Sequence, residues 1–196
     1  MTAAARGAGG FRRLDERTIH QGYVWRVAVA EFEAPDGERF TRDIVRSPGA
    51  VGVVPVLFDA EGVASVVLVH QYRPVLDEWV FEIPAGMRDV PGEEPELTAA
   101  RELAEEVGFV ASHLELLTVF HPSVGMTDST THVFLATGLR AVDVERHGPE
   151  EQAMQIAHVS LDDAVARARR GELTDAKTVI GVLLAYARLS RADGLG

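Results

Sequence analysis

The chain contains no cysteine. Disulfides, zinc–thiolate centres and thiol nucleophiles are therefore excluded. Basic residues are scarce, with 19 Lys and Arg against 30 Asp and Glu, a formal net charge of −11. A surface of that sign repels phosphate backbones, so nucleic acid is not an expected partner. No apolar run approaches the ~18 residues of a transmembrane helix, and no membrane partner is expected. The opening MTAAARGAGG has no hydrophobic segment behind its charge. It does not read as a signal peptide, and a cytoplasmic location is expected. What is present is ordinary for a globular chain: 196 residues, 46% hydrophobic and 25% charged. That is enough for one domain with a sizeable core and a short appendage. The acidic excess suits cation binding wherever the acids converge.

Residues 1–12 are rich in Gly and Ala and read as a flexible tail. From Tyr23 to Phe32 the pattern alternates like a strand. Ala34-Pro35-Asp36-Gly37 signals a turn, and Glu38 to Val45 resumes the alternation. Residues 13–47 are therefore expected to form an N-terminal β-hairpin subdomain, closed by Ser47-Pro48-Gly49. Residues 48–192 form the main domain in this reading. Strands are expected at Ala50–Phe58, Ala64–Tyr72, Glu78–Ile83, Leu114–Phe120, Thr131–Ala136 and Met154–Val159. The polar stretch from Val142 to Gln152 reads as a loop. Helices are expected from Pro95 to Val107, from a Ser160 cap to about Arg170, and after a Thr174 or Asp175 cap. The class is α+β.

The helix PELTAARELAEEV carries the chemistry. Projected at about 100° per residue from Glu102, Glu106 falls near 40° and Glu105 near 300°. Leu103, Val107, Ala100, Ala104 and Leu97 occupy the opposite arc. Three carboxylates thus crowd within about one turn, where like charges at i,i+4 repel. A hard divalent cation with oxygen ligands would relieve that repulsion. Read alone, such a cluster is more often a solvated helix face, with Arg101 an ordinary surface partner.

The surroundings change that reading. Gly86, Glu93 and then Arg101-Glu102-Leu103-Ala104-Glu105-Glu106-Val107-Gly108-Phe109 resemble the Nudix box. The resemblance is complete from Glu93 onward, while six residues, Met87 to Gly92, separate Gly86 from Glu93 where the box has five, so the loop is one residue longer. The extra residue is expected to bulge from the loop. Beyond the box, VRSPGAV, HQYR, FEIPAG and GELTDAKT resemble the ADP-ribose pyrophosphatase subgroup, over roughly Arg42 to Thr178.

The resemblance implies a Nudix α/β/α sandwich with a mixed central sheet. It also implies hydrolysis of a nucleoside diphosphate linked to another moiety, with Mg²⁺ or Mn²⁺. Glu102, Glu106 and the backbone carbonyl of Ala85 would be metal ligands, and Glu105 a ligand or a supporting acid. Arg101, Gly86, Glu93 and Gly108 would be structural. Arg46 and Arg73 would grip the substrate, with salt bridges as the alternative for both. Glu82, Gly125 and Asp128 would also serve substrate binding. Glu151, with Glu150 as the alternative, would be the general base, and Glu105 would also belong to the catalytic set. A homodimer built through the N-terminal strands is implied as well.

Val124 replaces the proline that the subgroup carries, and the loop around it is expected to set specificity. ADP-ribose or a related nucleoside diphosphate sugar is the leading substrate class. Coenzyme A, dinucleoside polyphosphates, nucleoside triphosphates and a catalytically silent nucleotide sensor are the alternatives. His121, His132 and His147 are expected to be structural or exposed.

Overall fold

The computed structural model describes residues 8–144 and 152–192. They divide into two compact units. One takes in the chain up to Gly49 together with His121–Thr130; the other takes in Ala50–Phe120 and the chain from Thr131 onward.

The first unit is built on a three-stranded antiparallel sheet in the order β1-β2-β3, with β1 Arg12–Gln21, β2 Arg26–Glu33 and β3 Arg39–Arg46. The expected hairpin is present as β2 and β3, turning at Asp36-Gly37, where the Asp36 carboxylate accepts from the Glu38 N–H at 3.0 Å. Strand β1 is an addition to the expected hairpin. Its half-buried positions are Arg12, Leu14 and Glu16, so one face is lined mostly by charge rather than by apolar residues. Ala28 and Ala30 are fully buried, and Phe40 stacks on Phe32 with ring centroids 5.4 Å apart. Within this unit the Val45 N–H also donates to the Met126 carbonyl at 2.9 Å.

The second unit is a seven-stranded mixed sheet with helices on both faces. It comprises β4 Ala50–Phe58, β5 Ala64–Arg73, β6 Glu78–Glu82, β7 Ala85–Met87, β8 Phe109–Phe120, β9 Thr131–Ala141 and β10 Gln155–Ser160. Its main path runs β10-β5-β4-β9-β8, with β6 on β5 and β7 on β4. Only β4 and β9 pair in parallel; the other pairs are antiparallel. The helices are α1 Pro95–Val107, α2 Leu161–Arg169 and α3 Ala176–Ala192. Alternation along the central strands sorts the core into two layers. Val51, Val53, Val67, Val69, Phe134 and Ala136 pack with Ala99, Leu103 and Val107 of α1. Val54, Val56, Val66, Leu68, Val133 and Leu135 pack with Leu161, Val165, Val182 and Ala185 of α2 and α3. The sandwich is the expected one.

Strands β8 and β9 run longer than their patterns suggest, and β7 is an addition to the expected strands. Ser160 caps α2 by accepting from the Asp163 N–H at 3.2 Å. Asp175, rather than Thr174, accepts from the Thr178 N–H at the start of α3, at 2.9 Å.

Glu16 binds the first unit together. It accepts from Arg13 at 3.0 Å, from Arg26 at 3.1 Å and from Arg46. The Arg46 hydrogen bond, aided by Arg26 and Arg13, holds the Glu16 carboxyl down at about 2 against an ordinary 4.5. A folded-state pKa below the unfolded value stabilises the fold above the unfolded pKa and loses that contribution as pH falls through the folded one. Glu16→Gln should therefore lower the urea midpoint at pH 7, and the gap from the parent should close as pH falls from 4.5 towards 2. A gap that stays constant with pH would show that the charge of Glu16 does no stabilising.

Candidate active site

Helix α1 begins with Pro95 in its first turn, where the missing N–H costs nothing. It ends at Gly108, whose φ of 70° is left-handed and whose N–H donates to the Ala104 carbonyl at 3.1 Å. A Cβ there would also meet Val144 at 2.6 Å. The buried positions of the helix are Thr98, Ala99, Glu102, Leu103, Glu106 and Val107. Two of the three clustered carboxylates therefore sit on the packed side, not in solvent: Glu102 is 9% exposed and Glu106 is 5% exposed. Strand β7 is what covers them. The Ala85 N–H donates to Glu106 Oε2 at 2.8 Å. A Cβ on Gly86 would fall 2.1 Å from the Glu102 carboxylate. Only glycine permits this approach of backbone to carboxylate. The additional residue between Gly86 and Glu93 is taken up in the loop, which turns back through a 3.2 Å bond from the Glu93 N–H to the Val90 carbonyl.

Arg101 offsets part of the charge of the acid face. Its Nη1 donates to Glu102 at 2.8 Å and to Glu105 at 3.1 Å, and its Nη2 donates to Glu93 at 3.4 Å. Glu93 also accepts from the Thr98 hydroxyl at 2.8 Å, and that bond, with Arg101, lowers its pKa. Burial opposes the charge of Arg101, but Glu102, Glu93 and Glu105 outweigh it and raise its pKa. Among the described residues no three acids or histidines are already gathered as an ion cage. The cleft of about 350 Å³ here is lined by Ala85, Gly86, Glu102, Glu105 and Glu106, with Gln71, Arg73, Met87, Asp89 and Arg101. Its anionic donors are all carboxylates. That donor set, with a backbone pressed against it at Gly86, fits a hard divalent cation rather than a soft one.

Arg73 forms another wall of this cleft, and a second ionic cluster holds it. Its Nε and Nη2 donate in parallel to Glu82 at 2.6 and 2.8 Å. Glu82 is 2% exposed and also accepts from Lys177. Lys177 in turn pairs with Asp175 at 3.1 Å. Burial pushes the Glu82 carboxyl up, and Arg73 and Lys177 outweigh it, so its pKa lies below the ordinary range. The Glu82 bond raises the pKa of Arg73. Glu82, expected near metal or substrate, thus has both oxygens engaged by cations of the chain itself. Lys177 was not among the expected site residues. It is the one lysine of the sequence and lies inside GELTDAKT, which was the available signal.

The remaining candidates fall elsewhere. In the first unit Arg46 and Asp128 pair at 2.9 Å, and Asp128 also accepts from the Ser47 N–H at 3.3 Å. Gly125 is exposed in the same unit, and nothing lies near the place of its missing Cβ. His121 is exposed, with Nδ1 2.9 Å from the Ser129 carbonyl oxygen. His132 is half-buried, and burial with the Arg88 charge lowers its pKa. Glu150, Glu151 and His147 lie outside the described residues.

Arg101 joins three acids, so its loss should cost more than a surface pair does. Arg101→Met is expected to destabilise the protein by about 2 kcal/mol in urea unfolding, the scale of hydrogen bonds to charged groups. An unchanged midpoint would reduce these contacts to surface ion pairs.

Comparison with known proteins places these features. The NUDIX domain model matches residues 46–179. An ADP-ribose pyrophosphatase of Bacillus subtilis (strain 168) is 37% identical over 186 residues, covering 92% of this chain and 97% of that protein. An ADP-ribose pyrophosphatase of Mycobacterium tuberculosis (strain ATCC 25618 / H37Rv) is 36% identical over 177 residues, covering 90% of this chain and 84% of that one. A crystal structure of an ADP compounds hydrolase superposes with a TM-score of 0.79 at 21% identity, covering 95% of this chain and 97% of that one, and so shares the fold. With the acid helix, the Gly86 approach and the sandwich all in place, the chain belongs to the Nudix family.

Proposed function

We propose that the protein is a divalent-metal-dependent pyrophosphohydrolase that cleaves ADP-ribose to AMP and ribose 5-phosphate, or cleaves a related nucleoside diphosphate sugar. The observation that carries this reading is the set of Glu102, Glu105 and Glu106 lining one cleft against Ala85 and Gly86. The curated relatives named ADP-ribose pyrophosphatase support the substrate class.

The charge of the cleft explains the need for a cation. Three carboxylates repel a pyrophosphate, and Arg101 is already committed to them. Glu102, Glu106 and the Ala85 carbonyl would hold Mg²⁺ or Mn²⁺, with Glu105 as a further ligand or supporting acid. Such an ion, when bound, neutralises charge on phosphate oxygens and acidifies coordinated water. Arg101 and Glu93 orient the glutamates. Arg73, fixed by Glu82 and Lys177, presents its remaining positive charge to the phosphates. Glu151, with Glu150 as the alternative, takes the proton from the attacking water. The water oxygen bonds to one phosphorus, and the bridging P–O bond breaks so that the other phosphoryl group leaves as the phosphate ester of its own moiety, giving AMP and ribose 5-phosphate from ADP-ribose. Arg46, Asp128 and Gly125 belong to substrate binding on the resemblance alone. The same holds for a homodimer through the N-terminal strands, a cytoplasmic location, and domain limits of 1–12, 13–47 and 48–192. No helix among the described residues is long and apolar enough to cross a membrane.

The test is hydrolysis of a panel of ADP-ribose, ADP-glucose, GDP-mannose, NADH, coenzyme A and nucleoside triphosphates with Mg²⁺ or Mn²⁺, products being read by mass spectrometry. ADP-ribose should be cleaved best, and Glu106→Gln should lose at least ~100-fold in kcat, the scale of losing one preorganised group that stabilises transition-state charge. Absence of turnover with retained nucleotide binding would replace the enzyme with a sensor.

A further inference from the structure

Strand β5 changes character along one face. Val67 and Val69 pack under α1, and alternation brings Gln71 and Arg73 to the same side of the strand. Both line the acid cleft. Gln71 is only 4% exposed, yet its Nε2 has no hydrogen-bond partner among the described residues. A buried amide donor left unpaired costs free energy that an apolar side chain of the same size would not. Most buried polar groups are paired, so an orphan beside a functional cleft calls for a partner from outside the chain.

The chemistry of the neighbours says what that partner is. An Arg or Lys at this position would be captured by Glu102, Glu105 or Glu106. A neutral amide keeps its N–H for a weaker-held acceptor and adds no charge to the cleft. A pyrophosphate offers only acceptors, and hydrogen bonds to an ionised acceptor are the strong ones. We propose that Gln71 is a substrate-binding residue whose side-chain amide donates to a non-bridging oxygen of the substrate's pyrophosphate. This rests on the hydrolase reading given above. Arg73, two residues on, supplies charge; Gln71 supplies direction.

The experiment uses the full-length protein, Gln71→Met and Gln71→Glu. Methionine keeps the volume and removes the donor; glutamate keeps the shape and replaces the donor with an acceptor. Binding of a non-hydrolysable α,β-methylene analogue of ADP-ribose is measured by calorimetry with Mg²⁺, and Tm is measured without ligand. Gln71→Met should weaken the analogue about tenfold or more, and Gln71→Glu should weaken it further by repulsion. The ligand-free Tm of Gln71→Met should equal or exceed that of the parent, because an unpaired buried donor is gone. Unchanged affinity in Gln71→Met, or a lower ligand-free Tm, would overturn the proposal by making the amide a structural group. Failure of the hydrolase reading is seen separately, as parent protein that does not bind the analogue. The melting comparison then decides for Gln71 alone.

Discussion

The approach of α1 to strand β7 is the constraint on which the site depends. Leu103, Val107 and Ala99 drive the helix onto the sheet, and burying three such side chains stabilises the packing by several kcal/mol, at roughly 25 cal/mol per Å² of apolar surface. Because 3.6 residues make a turn, the acids at 102 and 106 travel down with the apolar face and arrive against the β7 backbone. At Gly86 there is no room for a Cβ. The hydrophobic layer thus does electrostatic work: it carries carboxylates up against the β7 backbone. Isolated in that place they would be costly. The Ala85 N–H and Arg101 are the groups that make them tolerable.

Cations in this protein are few against its acids, and those around the cleft are shared. Arg101 serves Glu93, Glu102 and Glu105. Glu82 is held between Arg73 and Lys177, and Lys177 returns to Asp175 at the start of α3. Since the Ile83 N–H donates to the Thr178 hydroxyl at 2.8 Å, the end of β6 and the start of α3 are tied by backbone as well as by charge. Arg73 is consequently positioned through β6 and the start of α3. In the first unit Glu16 inverts the pattern, one acid gathering Arg13, Arg26 and Arg46. The net charge of −11 is thus balanced around Glu82 but left in excess on the acid face of α1.

Local signals were legible in the sequence where sterics are local. The bounds of α1 follow from Pro95 and Gly108, and strands β4 and β5 follow from their β-branched runs, while the sandwich was implied by the Nudix resemblance. Strand β1 was not legible, because its half-buried face is Arg12, Leu14 and Glu16 and an apolar period-2 pattern never forms. Strand β7 was hidden by its three-residue length and by the Pro84-Ala85-Gly86 turn signal. The acid face of α1 was legible as a cluster, but its burial was not, since periodicity alone does not say what packs above a polar arc. The partners of Glu82 and Arg46 were least accessible. Lys177 is 95 residues from Glu82 and Asp128 is 82 residues from Arg46, and no local pattern encodes pairs at such separations.

The central claim is that backbone at Gly86, pressed on Glu102, shapes a cation-binding cleft. Titration of Mn²⁺ into the parent protein and into Gly86→Ala, followed by electron paramagnetic resonance with circular dichroism as a check of folding, tests it most directly. The account predicts a saturable site in the parent and at least tenfold weaker binding in folded Gly86→Ala, a loss of about 1.4 kcal/mol. Equal affinity in the two proteins would contradict it.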